Sequence, residues 1–94
     1  MAIKTRKWDP VAALDTPERI VLYLEAAFED GDPQLIAAAI GDAARAHGMS
    51  KLAKETGVTR EALYRALSDQ GNPEFATVLK VFAALGLKLT PTPA

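Results

Sequence analysis

The sequence predicts an all-α fold, a single five-helix bundle, with an alternating segment near the C-terminus that suits a short terminal strand. Three observations carry this. A capping residue followed by proline recurs at Asp15-Thr16-Pro17, Asp32-Pro33 and Asn72-Pro73. Apolar residues follow each of these starts at the spacing of one helix face. Glycine stands where the runs stop, at Gly31, Gly48, Gly57 and Gly86, the usual place for a residue that closes a helix in the left-handed region. With 94 residues, 49% hydrophobic and 24% charged, the chain can bury one core, and it is too apolar for a disordered tail.

Residues 1–14 are expected to be an irregular or extended N-terminal extension, because Pro10 interrupts any helix there and Trp8 would pack against the body. The first helix starts with a capping oxygen from Asp15 or Thr16, proline at its first position and Glu18 near its positive end. Ile20, Val21, Leu24, Ala27 and Phe28 form its apolar stripe, and Asp30-Gly31 stops it. Asp32-Pro33 opens a second helix whose buried face is Leu35, Ile36, Ala39, Ile40 and Ala43. It closes at His47-Gly48, with His47 near the negative helix end.

Two short helices follow. Ser50 would cap residues 51–56, Gly57 makes the turn, and Thr59 would cap residues 60–68. After the loop 69–72, Asn72-Pro73 would open the last helix, with Phe75, Val78, Leu79, Phe82 and Leu85 on one face and Gly86 at its end. Leu87-Lys88-Leu89-Thr90 alternates as a strand would, and residues 91–94 form a frayed end. The helical domain is therefore expected over 15–90. Val81 and Ala84, with Leu87 and Leu89, are either further core or a second apolar patch for self-association.

Charge is segregated although the net is only −1. Lys4, Arg6 and Lys7 give the N-terminus +3. Residues 9–44 hold eight carboxylates against Arg19 alone, a net of −7. Residues 45–65 hold Arg45, Lys51, Lys54, Arg60 and Arg65 against Glu55 and Glu61, a net of +3. An acidic half followed by a basic segment suits two different partners, and equally suits ordinary surface charge.

Catalysis has little to rest on. Zero cysteines remove thiolate chemistry and zinc-thiolate sites, and His47 is the only histidine. Ser50 and Ser68 have no general base beside them in the pattern. Asp30 and Asp32 sit in a turn typical of helix capping, not of an acid-base dyad, and Gly71 and Gly86 belong to no phosphate-cradling loop. No catalytic, metal or cofactor residue is assigned, and no small-molecule substrate is expected. No apolar run approaches the roughly 20 residues of a membrane span, and the N-terminus has no secretory pattern, so a cytoplasmic location is expected.

The segment Met49 to Ser68, MSKLAKETGVTREALYRALS, carries the function. A DNA-reading helix-turn-helix needs two short helices, a small residue at their contact and glycine in the turn. Ala53 stands four residues before Gly57, and Leu52, Val58, Leu63 and Ala66 fall where such a unit faces its core. Arg60, Glu61, Tyr64, Arg65 and Ser68 then point outward on the second helix. Arg60 and Arg65 can each present a fork to guanine. Glu61 can accept from cytosine or hold Arg65 at i, i+4. Tyr64 suits sugar or phosphate. Ser50 and Thr59 can anchor phosphate oxygens at helix N-termini, with Lys51 and Lys54 on the flanking helix. The bland counterpart is a helical hairpin with a solvated charged face.

With those residues in view, the chain resembles the Xre/Cro-type helix-turn-helix antitoxins known as addiction-module antidote proteins, relatives of the HigA group. The similar stretch runs from Thr16 to Leu89, and GDPQLIAAAIGDAARAHGMSKLA and GNPEFATVLKVFAALGLKL are its most specific parts. The departures lie at the two ends. The resemblance implies a lambda-repressor-like five-helix fold, a homodimer on paired DNA half-sites, neutralisation of a RelE/ParE-like toxin, and repression of the shared operon. Toxins of that type are basic, so Glu25, Glu29, Asp30 and Asp32 would suit such a partner, as they would also suit a solvated helix end. Two alternatives stay open: a solitary phage-like regulator, and a protein-interaction module that reads no DNA. A neighbouring reading frame for a small basic protein would favour the antitoxin.

Overall fold

Side-chain capping sets three of the helix starts. A computed structural model describes residues 10–94, within which the chain forms six helices and no strand. Helix α2 (Pro17–Asp30) begins with Pro17 in its first turn while the Thr16 hydroxyl accepts from the Arg19 amide at 3.2 Å. Helix α3 (Pro33–His47) begins in the same way, the Asp32 carboxylate accepting from the Gln34 amide at 3.0 Å. Each side chain satisfies one amide that the first helical turn leaves unpaired.

One helix more than expected is present. Pro10 opens the short helix α1 (Pro10–Ala13), where its missing N–H costs no intrahelical bond, instead of interrupting one. This turn packs against α3. The expectations for Trp8 and for the basic residues Lys4, Arg6 and Lys7 lie outside the described residues.

Three further expectations are corrected. Helix α4 (Met49–Thr56) starts one residue before Ser50, which caps nothing. Gly48 performs both junctions, its amide closing α3 on the Ala44 carbonyl and its carbonyl accepting from the Leu52 amide to open α4, each at 2.9 Å. Helix α6 (Phe75–Ala84) begins after Glu74, leaving Asn72 and Pro73 in the preceding loop. Residues 87–90 form no strand: Leu87 and Leu89 are half-buried against the core while Lys88 and Thr90 are exposed, so the alternation is genuine but has no partner strand.

Helix α3 touches α1, α2, α4 and α5. Its inward residues Ala39, Ile40, Gly41, Ala43 and Ala44 are mostly small, which lets the neighbours approach closely. The clearest case is Gly41, where a Cβ would stand 2.1 Å from the Leu67 carbonyl oxygen. Leu24, Ile40, Leu52, Leu63, Leu67, Val81 and Phe82 fill the core around it. Truncating one such leucine to alanine costs roughly 2–5 kcal/mol.

The stripe expected on α6 holds in part: Phe82 is buried, and Val78 and Leu85 are half-buried against the core. Val81 is fully buried with Phe82, whereas Phe75 and Leu79 are 68% and 43% exposed. Val81 is thus core, not part of a free apolar patch, and Ala84, Leu87 and Leu89 also pack against the core. Leu35 at the start of α3 and Phe28 near the end of α2 are likewise exposed.

Candidate nucleic-acid interface

The segment 49–68 folds into two short helices with a three-residue turn. Helix α4 ends at Gly57, whose φ of 76° lies in the left-handed region, and the Gly57 amide donates to the Ala53 carbonyl. No atom lies within 4 Å of where a Gly57 Cβ would stand, so the demand for glycine is conformational and not steric. Helix α5 (Arg60–Ala66) starts at Thr59, whose hydroxyl oxygen accepts from the Ala62 amide at 3.1 Å. The Thr56 hydroxyl donates to the Leu52 carbonyl at 2.8 Å and accepts from the Val58 amide, fixing the exit of α4.

Burial orients the pair. Leu52 and Leu63 are fully buried, and Ala53 and Val58 are half-buried against the same core. With these faces turned inward, Ser50, Lys51 and Lys54 on α4 are exposed, as are Thr59, Arg60, Glu61, Tyr64 and Arg65. Ser68 is placed differently: it lies beyond the last helical residue, half-buried, and its hydroxyl donates to the Arg65 carbonyl at 3.2 Å.

Pairing decides which charges remain available. Arg45 is bonded to Asp42, which also accepts from the Tyr23 hydroxyl at 2.5 Å. The Arg45 charge is thus paired within α3, on the carboxylate that ties α3 to Tyr23 of α2. Glu55 is bonded to His47, Nε2 to Oε1 at 2.8 Å, so one of the two carboxylates of the basic segment is already engaged. His47 stands in the last turn of α3 as expected, but its bond to Glu55 has no signal in the sequence, since a spacing of eight residues across a helix junction follows no helix period. Lys51, Lys54, Arg60 and Arg65 form no ion pair among the described residues, and Glu61 does not hold Arg65. The Arg60 guanidinium instead lies over the Tyr64 ring, 5.5 Å from its centroid. Four cations and an aromatic ring thus stand exposed on adjacent helices, chemistry that suits an anionic polymer.

Among the described residues no group of three or more His, Cys, Asp or Glu could hold a metal ion. No helix of the structure is long and apolar enough to cross a membrane.

Fold and site together define a small all-α protein with an exposed basic two-helix unit. The chain belongs to the probable addiction module antidote protein family, whose model matches residues 4–93. An uncharacterized protein of Haemophilus influenzae is 44% identical over 88 residues, covering 94% of this chain and 91% of that protein. No solved structure matches the chain. An antidote of an addiction module implies a toxin as its partner.

Proposed function

We propose that this protein is a sequence-specific DNA-binding antitoxin of a type II toxin-antitoxin module, which neutralises a RelE/ParE-like toxin and represses its own operon. In this reading α4 and α5 are the helix-turn-helix and α5 is the recognition helix, with Arg60 and Arg65 directed at base edges. Lys51, Lys54, Thr59 and the free hydroxyl of Ser50 meet phosphate oxygens. The observation that carries it is the coincidence, in one twenty-residue segment, of a left-handed Gly57 turn, two fully buried leucines and four cations that form no ion pair among the described residues.

Operator sites for such units are paired half-sites, so the protein acts as a homodimer, in the cytoplasm, and performs no catalysis. Neutralisation and repression are tested together in cells. Co-expression of the chain with the product of the adjacent reading frame should restore growth. The chain should also silence a reporter driven by its own upstream DNA, and Arg60→Ala/Arg65→Ala should release the reporter without abolishing growth rescue. Failure of the wild type on both counts would remove the proposal. Repression without rescue would leave a solitary regulator.

A further inference from the structure

An open groove runs between α2 and the C-terminal segment after α6, and nothing in the DNA-binding unit uses it. Its lining is mixed, and the apolar part includes Phe28 and Phe82, in edge-to-face contact at 6.2 Å, with Leu89 from the C-terminal segment. Leu22 stands on its near wall, 65% exposed. Glu25 and Glu29 line the same wall one helical turn apart.

This arrangement works against the helix that bears it. Like charges at i, i+4 repel, and Glu29 and Asp30 lie in the last turn of α2, at the negative end of the helix dipole. No basic residue stands in that turn, and none of the three carboxylates forms an ion pair among the described residues. Lys88 lies in the groove but bonds neither glutamate. Apolar surface and uncompensated negative charge therefore adjoin on one wall, which suits an occupant that supplies apolar side chains and cations together.

We infer that the groove between α2 and the C-terminal segment docks a basic amphipathic segment of the toxin, its apolar side chains on Leu22 and Phe28 and its cations on Glu25 and Glu29. The inference rests on the antitoxin reading and adds to it the surface that neutralisation uses. It also places the toxin on elements separate from α4 and α5, so DNA and toxin need not compete for the same residues.

The probe is the purified product of the adjacent reading frame, titrated against the full chain by calorimetry at low and high salt. Glu25→Lys/Glu29→Lys should weaken binding about tenfold or more and flatten its salt dependence, and Leu22→Ser should weaken it at both salt concentrations. Lys80→Ala, on an exposed site away from the groove, should bind as the wild type does. The charge reversal puts cations toward the helix C-terminus, so its melting temperature should not fall. Wild-type binding with undiminished affinity in both groove variants overturns the groove while leaving the antitoxin reading intact. No binding by the wild type overturns both. A homodimer that the groove variants dissociate in the absence of toxin also overturns the inference, because the groove would then hold a second copy.

Discussion

Arg60 and Tyr64 form a stacked pair one turn apart on α5, the guanidinium carbon 5.5 Å from the ring centroid. Both side chains are exposed, so the contact adds little to stability, on the order of 0.5–1 kcal/mol. Its consequence is orientation: a long side chain with many rotamers is held over a ring fixed by only two torsions. Tyr64→Phe should keep the ring and leave DNA affinity within about twofold, whereas Tyr64→Ala should lower it several-fold without the larger loss of Arg60→Ala. Equal losses in Tyr64→Phe and Tyr64→Ala would assign the effect to the hydroxyl, and the stacking account would be wrong.

Gly41 fixes how closely α3 and the end of α5 approach. A glycine inside a helix ordinarily gains about 1 kcal/mol on replacement by alanine. Here the added methyl would meet the Leu67 carbonyl oxygen at 2.1 Å, a backbone atom that cannot move aside alone. Gly41→Ala is therefore expected to destabilise by roughly 1–3 kcal/mol, read from urea denaturation. A stabilised variant would mean that the α3–α5 contact is looser than described.

The turn between α4 and α5 gives a pair of graded expectations. Gly57→Ala meets no atom but must adopt a φ of 76°, at a cost of about 1–2 kcal/mol, and Gly57→Asn should cost less because asparagine tolerates that region. Identical losses in the two variants would point to a cause other than backbone conformation.

Thr59 caps α5 through the Ala62 amide. Thr59→Ala should cost about 1 kcal/mol and Thr59→Ser only a fraction of that, measured by thermal unfolding. Because the hydroxyl still has its proton to donate, Thr59→Ser should also retain DNA affinity that Thr59→Ala loses. An unchanged melting temperature in Thr59→Ala would show that the cap contributes nothing.

Much of this architecture was legible in the residues, and the misses have physical causes. Pro17 and Pro33 marked helix starts because a capping oxygen and a proline act locally, and Thr59 and Gly57 were readable for the same reason. Ser50 looked like a cap, but Gly48 closes α3 and opens α4 at once, leaving no separate capping position. Asn72-Pro73 carried the same local signal as Pro33, but the helix begins only after Glu74. Gly71 lies so close to the end of α5 that a Cβ would stand 2.2 Å from the Ala66 carbonyl oxygen, and its amide donates to the Ser68 carbonyl, a tight local turn that precedes Asn72-Pro73. Helix α6 is apolar nearly all round, and periodicity alone could not tell Val81 from Leu79 as the inward residue. At the candidate site, Arg60, Glu61, Tyr64 and Arg65 followed from helix geometry, whereas Ser68 did not, because α5 ends at Ala66. Asp42 and Arg45 stand at the i, i+3 spacing of a helical ion pair, a signal that was open to reading, whereas the bond of His47 to Glu55 crosses a helix junction that no spacing rule describes.

The central claim is that α5 reads the DNA upstream of this chain's own start codon. Fluorescence anisotropy over a salt series, comparing wild type with Arg60→Ala/Arg65→Ala, tests it most directly. The account predicts wild-type binding that is tighter to the upstream DNA than to random sequence and weakens with salt. Each arginine should contribute roughly 1–3 kcal/mol, so the double variant should lose its preference for the upstream DNA. Wild-type affinity no greater for the upstream DNA than for random duplex, or a double variant that keeps that preference, would contradict it.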